Sequence, residues 1–117
     1  MRLPLIAAVL LAAGCAAAPQ ITRETFVGTS WVEFCPNPEI RTAFVRFDVD
    51  GRLAWSYEHP DSVRAEEVHR WAVRSDTLYL EWSNGTAGTS YTPTDEPGRL
   101  EGMATFCPEG ATITRIR

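Results

Sequence analysis

Lysine is absent from this chain of 117 residues, so all 11 basic residues are arginine. The 15 acidic residues leave a net charge of -4, and like charges never cluster beyond a neighbouring pair. A nucleic-acid partner needs clustered positive charge, because basic side chains must replace the counterions of the phosphates. The composition therefore argues against nucleic-acid binding.

Residues that commonly carry catalysis are also few. The two histidines, His59 and His69, have no partners at the spacing of metal ligands, and no serine lies in a G-x-S-x-G elbow. The sequence thus predicts a protein that is not an enzyme, with no catalytic residues, no metal and no cofactor.

Only one long apolar run is present, and it begins the chain. Arg2 is followed by "LPLIAAVLLAA", which is too short to span a bilayer as a mature helix and is typical of a secretory signal. The small residues Ala13 and Gly14 before Cys15 resemble the bacterial lipobox, in which the signal is removed before a cysteine that carries lipid. The resemblance implies a lipoprotein signal peptide over residues 1–14. The alternative is an ordinary secretory signal with an unmodified thiol at this position.

Acylation of Cys15 implies a membrane anchor. Acyl chains such as palmitate each add ~0.8 kcal/mol per buried methylene, so several chains on one residue hold a protein at the bilayer. The next residue is Ala16 rather than the Asp that favours the inner membrane in enterobacterial sorting. We therefore expect a lipoprotein of the bacterial cell envelope, on the periplasmic face of the outer membrane. Residues 15–25 are then the lipidated cysteine and its tether.

The two remaining cysteines form an even pair in an oxidising compartment, where thiols pair rather than stay free. Once Cys15 is assigned to lipid, a Cys35–Cys107 disulfide is the only intramolecular bridge left. Two buried free thiols are the alternative.

Beyond the tether, apolar residues recur with a period of two, which predicts half-buried β-strands. In "TAFVRFDV", alternate residues from Ala43 to Val49 share one apolar face. Hairpin turn signals separate such runs. These signals are Asp50-Gly51, Ser75-Asp76 and Asn84-Gly85. Eight strands are predicted, near residues 26–35, 41–49, 52–58, 67–74, 77–83, 86–92, 99–107 and 111–117.

Eight consecutive antiparallel strands leave two exposed edges unless the first strand pairs with the eighth. Cys35 ends the predicted first strand and Cys107 the predicted seventh, and odd-numbered strands end at the same rim. A disulfide between them is feasible in a closed sheet, where strand eight alone separates them, but not in an open one. The predicted fold class is all-β, an eight-stranded antiparallel up-and-down β-barrel over residues 26–117.

The start and end of this barrel resemble those of the lipocalin (calycin-type) family. Gly28-Thr29-Ser30-Trp31 is similar to the G-x-W signature of that family, with one additional residue, and Arg115 is similar to the basic residue that packs over the first-strand tryptophan. The resemblance implies a lipocalin-like barrel in which Gly28, Trp31 and Arg115 close one end through a stack of indole and guanidinium. The opposite end, where the longer connections gather, is then the mouth.

The alternating pattern directs six ring-bearing side chains into the barrel. They are Trp55, Tyr57, His69, Trp71, Trp82 and Tyr91. Flat surfaces with a few polar tips are typical of a small-ligand pocket, whereas the alternative is a solid core filled by the same side chains. The predicted function is to bind a small hydrophobic or amphipathic ligand.

The alternative function is a protein-binding barrel, like the small periplasmic inhibitors of lysozyme and of proteases that act through rim loops. Arg64, Glu66 and Glu67 lie on the predicted rim loop and are the candidate contacts with a protein partner. This loop has no aromatic anchor of the kind that dominates tight interfaces. The interior discriminates between the two functions, because a void favours a ligand and a solid core favours a partner.

Overall fold

The computed structural model describes residues 20–37, 39 and 42–117. Within that part of the chain, one short helix, α1 (Arg23–Phe26), is followed by eight strands, and a 3-10 turn at Pro60–Ser62 connects the third strand to the fourth. The strands are β1 (Ser30–Phe34), β2 (Ala43–Phe47), β3 (Arg52–Ser56), β4 (Arg64–Arg74), β5 (Thr77–Trp82), β6 (Ala87–Pro93), β7 (Arg99–Ala104) and β8 (Cys107–Arg115).

The sheet closes on itself as the sequence predicts. Each strand pairs antiparallel with the next, and β1 also pairs with β8, so that Trp31 lies opposite both Val45 and Arg115. Strand residues alternate between interior and solvent, and closure covers the apolar face without leaving an edge. The up-and-down barrel is thereby confirmed. The prediction that Val49 shares the inner face of β2 is wrong, because Val49 lies in the following turn and is 69% exposed.

The predicted hairpin signals form tight turns. Ser75 and Asp76 have φ angles of 49° and 59°, and Asn84 and Gly85 have φ angles of 58° and 85°. Ser83 also adopts a positive φ, of 53°, in the second of these turns. Successive residues in the left-handed region match the twist of the flanking strands. Gly51 also adopts a positive φ, of 86°, between β2 and β3.

Residues at the boundary between the predicted tether and the predicted first strand close one end of the barrel. The Phe26 ring of α1 is fully buried and packs on Trp31 and Phe47, with ring centroids 5.1 and 5.2 Å apart. Ile21 is buried as well. The first strand therefore begins at Ser30 rather than at the predicted residue 26, because α1 carries the chain across the barrel before pairing starts.

Hydrogen bonds connect the segment 20–26, which crosses this end of the barrel, to two hairpin turns. The backbone N–H groups of Gln20 and Ile21 both donate to Asp76 Oδ1, at 2.7 and 2.9 Å. The Arg23 guanidinium donates to the Val49 carbonyl in the β2–β3 turn. We call this end, which holds the β2–β3 and β4–β5 turns, the closed end.

The predicted disulfide is present at the opposite end. Cys35 and Cys107 are bonded, with their Cα atoms 6.0 Å apart. Cys107 begins β8 instead of ending β7, because Ala104 pairs with Cys107 across the turn formed by residues 105–106. The predicted strands 99–107 and 111–117 place this turn too late in the chain, and the bridge joins β8 to the chain leaving its neighbour β1. We call this end, where β1, β3, β5 and β7 finish, the mouth.

The fourth strand is longer than predicted. β4 begins at Arg64, so Arg64, Glu66 and Glu67 lie on a strand and not on the rim loop. The β3–β4 register jumps between Arg52, opposite Arg70, and Leu53, opposite Glu66. Such a bulge interrupts the alternation of side chains, which hides the start of the strand from a period-two analysis.

The expected membrane anchor cannot be placed in this fold. The signal peptide over 1–14 and the lipidated Cys15 lie outside the described residues. Among the residues that are described, no helix has the length and apolar character needed to cross a bilayer.

Candidate functional site

The barrel interior is solid at the closed end and hollow at the mouth. At the closed end, the rings of Phe26, Trp31, Phe47 and Trp71 pack edge to face or tilted, with centroids 5.1–6.3 Å apart. Towards the mouth lies a cavity of about 300 Å³. Its lining residues are Glu33, Ala43, Trp55, Tyr57, His69, Trp82, Ser83 and Phe106. The interior is therefore a packed core at the closed end and a cavity towards the mouth.

Four aromatic side chains, Trp55, Tyr57, Trp82 and Phe106, make the apolar walls of this mouth cavity. Trp55 lies edge to face with Tyr57 at 4.7 Å and perpendicular to Trp82 at 6.1 Å. The indole N–H of Trp82 donates to the Thr89 hydroxyl at 3.2 Å, which fixes the orientation of that ring. Rings held at right angles present both faces and edges to whatever enters the space between them.

His69 completes this ring cluster, but its polar atoms are engaged. Its Nδ1 accepts from the Ser83 backbone N–H at 3.1 Å, so the neutral ring carries its hydrogen on Nε2. Nε2 lies 2.8 Å from a Glu66 carboxylate oxygen, to which it donates. The imidazole packs against Trp82 at 5.1 Å. His69 thus supports the cavity wall, because both nitrogens are committed to protein partners.

A carboxyl group forms the polar part of the cavity. Glu33 of β1 lies between the apolar residues Ala43 of β2 and Ile113 of β8 in the strand register, and only 4% of it is exposed. The Tyr91 hydroxyl donates to Glu33 Oε2 at 2.5 Å. No other described residue donates a hydrogen bond to this carboxyl. One acidic group, with a single hydrogen-bond donor among the described residues, therefore faces the cavity.

Burial controls the protonation of this pair. Loss of solvent raises the pKa of Glu33 from 4.5 to about 7, and the Tyr91 hydrogen bond, which favours the charged form, offsets this only in part. The pKa of Tyr91 is raised above its ordinary value, first by burial and then by the charge and hydrogen bond of Glu33. The phenol consequently stays protonated and remains the donor.

Four of the six predicted pocket residues lie together around the cavity. They are Trp55, Tyr57, His69 and Trp82. Trp71 instead packs at the closed end, where its indole N–H donates to the Asp48 carbonyl at 2.9 Å. Tyr91 is fully buried behind the cavity and reaches it only through Glu33.

The predicted closing residues meet at the other end, although the contacts differ from those implied by the resemblance. Gly28 adopts a φ of 74° where the chain turns from α1 into β1. The buried Trp31 donates its indole N–H to the Thr29 hydroxyl at 2.6 Å and packs on Phe26. Arg115 lies opposite Trp31 in the register and is exposed. The guanidinium that stacks on an indole at this end belongs to Arg23, 5.3 Å from the Trp71 ring centroid.

Sequence reasoning missed Glu33, although a signal was present. In "WVEFC", Glu33 alternates with Trp31 and Cys35, and all three are buried on the inner face. A carboxyl on the apolar face of a strand is unusual, since burial penalises its charged form, and it therefore indicates a function or a dedicated partner. Phe106 was missed because the turn that carries it was placed a few residues later.

No cluster of three or more potential metal ligands occurs within the described part of the chain. Comparison with models of protein families, with curated proteins and with solved structures finds no match for this chain. The candidate site is consequently defined by its own geometry: a preformed cavity at the mouth with four aromatic side chains and one buried carboxyl.

Proposed function

We propose that this protein is a lipocalin-like envelope lipoprotein that binds a small hydrophobic or amphipathic molecule in its mouth cavity, without catalysis. The observation that carries the proposal is the cavity lined by Trp55, Tyr57 and Trp82. Its volume of about 300 Å³ falls at the lower end of the ~300–1,000 Å³ range of small-molecule sites. Aromatic walls with few polar groups suit a compact ligand with a substantial apolar surface.

The orientation of the barrel supports a ligand taken from the aqueous side. The chain enters at the closed end through Gln20, which is bonded to the β4–β5 turn. Lipid on Cys15 lies only five positions earlier, a reach of roughly 18 Å at ~3.5 Å per residue. The closed end then faces the membrane, and the mouth faces away from it.

A fluorescence titration tests the proposed binding. The neutral amphipathic fluorophore N-phenyl-1-naphthylamine should bind saturably at one site and quench tryptophan emission. Ala43→Leu places a larger side chain against the cavity without removing packed atoms, so this variant should lose binding while its stability is kept. Ala72→Leu, on the exposed face of β4, is the matched control and should bind normally.

The absence of saturable binding to the unmodified protein would refute this function. Undiminished binding by a folded Ala43→Leu variant would place any site elsewhere. A second candidate, a protein partner at the mouth rim, is favoured by the aromatic rings of Phe34 and Tyr57, which are 50% and 42% exposed at that end. Capture of a defined protein that is lost in Phe34→Ala would support this candidate.

A further inference from the structure

The electrostatic character of the mouth cavity restricts the ligand further. Its lining includes the Glu33 carboxyl, and no arginine lies among the described lining residues. The other titratable groups that face this space are Tyr57 and His69, and His69 is already bonded to the Glu66 carboxylate. Among the described lining residues, the net charge is therefore negative when Glu33 ionises.

Within the described part of the chain, Glu33 also has few partners for its charge. The residues beside it in the sheet, Ala43 and Ile113, are apolar, and Tyr91 donates the one hydrogen bond that described residues give it. A buried carboxylate that accepts one hydrogen bond is under-stabilised, because two or three donors usually surround such a group. A positive charge brought into the cavity would supply the missing partner.

The aromatic walls favour the same kind of ligand. Ring faces carry negative electrostatic potential, and a cation held within about 6 Å of a ring centroid is attracted to it, most strongly by tryptophan. Trp55 and Trp82, with centroids 6.1 Å apart and planes at 90°, flank the space that Glu33 lines. A carboxylate and an aromatic wall therefore act on a cation from different sides of one cavity.

We propose that the mouth cavity selects a cationic amphipathic molecule, an ammonium group on a small apolar body, with Glu33 as its counter-ion and the tryptophan rings as its walls. This inference rests on the function proposed above. Its consequence is a dependence on pH: a cation binds the carboxylate form, so its affinity rises as Glu33 ionises. Because the pKa of Glu33 is about 7 without ligand, the change falls between about pH 5 and pH 8.

Three probes of similar shape but different charge show whether binding affinity depends on the charge of the ligand. Benzylamine, benzyl alcohol and phenylacetate should compete with N-phenyl-1-naphthylamine in that order of affinity at about pH 8. Benzylamine should bind at least about tenfold more tightly than benzyl alcohol, and this advantage should disappear at about pH 5. Glu33→Gln should abolish this advantage, so that benzylamine and benzyl alcohol bind the variant with similar affinity. Glu81→Gln, on the exposed face of β5, is the matched control and should behave as the unmodified protein.

The outcomes distinguish this inference from the function on which it rests. Equal binding of amine and alcohol, with the fluorophore still bound, would overturn the cation selectivity alone. If the unmodified protein binds neither the fluorophore nor any of the three probes, the proposed function would be overturned as well. If Glu33→Gln does not fold, carboxyl ¹³C resonances of the unmodified protein decide: benzylamine should lower the pKa of Glu33 and benzyl alcohol should not, and equal effects would overturn the inference.

Discussion

Replacing Glu33 with Gln should remove most of the pH dependence of stability between about pH 5 and pH 8. The pKa of this carboxyl is raised from 4.5 to about 7 in the folded protein, so the folded state binds more protons than the unfolded state in that window. Stability is then greatest below pH 4.5 and falls as pH rises through about 7. Each pH unit between the two pKa values is ~1.4 kcal/mol, which gives a loss of about 3 kcal/mol.

Urea unfolding of the oxidised protein at several pH values measures this loss. Glu33→Gln keeps an acceptor for the Tyr91 hydroxyl and carries no charge. Its free energy of unfolding should therefore be nearly constant between about pH 5 and pH 8. At pH 8 it should exceed that of the unmodified protein by about 3 kcal/mol. Asp50 does not interfere, because the Arg52 backbone N–H lowers its pKa and places its titration at more acid pH. The control variant Glu81→Gln should show the same dependence of unfolding free energy on pH as the unmodified protein. A flat profile in the unmodified protein, or an undiminished slope in Glu33→Gln, would refute the burial argument.

Four further changes test separate parts of the structure. Tyr91→Phe removes the hydrogen bond that favours the Glu33 carboxylate, so carboxyl ¹³C titration should find the pKa of that group higher than before, and an unchanged value would contradict the pairing. Cys107→Ala should lower the free energy of unfolding by roughly 2–5 kcal/mol in denaturant titrations, and two free thiols in the secreted protein would contradict the bridge. Phe26→Ala should cost roughly 3–5 kcal/mol because it empties the closed end, and calorimetry showing no change would mean that α1 does not seal the barrel. Cys15→Ser should abolish palmitate labelling and detergent partitioning, and an unlabelled wild type would refute the anchor.

The fold was largely predictable because it depends on alternation, turn chemistry and one covalent constraint. The period of two between Ala43 and Phe47, the turn at Ser75-Asp76 and the odd-strand position of Cys35 each point to a closed antiparallel sheet. The helix α1 was not predictable in the same way. A helix of four residues is too short to show an apolar repeat in the sequence. The position of Phe26 depends on tertiary contacts with rings inside the closed barrel, such as Trp31.

The candidate site was predictable only in part. Alternation establishes which side chains point inward, but not how far along the barrel axis each one lies, and that distance separates Trp55 at the mouth from Trp71 at the closed end. The bulge in β4 also changes which residues face inward near His69, because it interrupts the alternation of side chains there. Glu33 was not predicted to be buried for a different reason. A period-two pattern is recognised from its apolar residues, so a carboxyl at one of the inward positions is assigned to the surface.

We propose that the mouth half of the interior binds a ligand, whereas the closed half is packed core. The four tryptophans divide equally between these halves, with Trp55 and Trp82 at the cavity and Trp31 and Trp71 at the closed end. Each indole N–H gives its own resonance in a ¹⁵N-correlated NMR spectrum. On titration with N-phenyl-1-naphthylamine, the resonances of Trp55 and Trp82 should shift and saturate while the other two stay in place. Shifts confined to the closed-end pair, or no shifts at all, would contradict the claim.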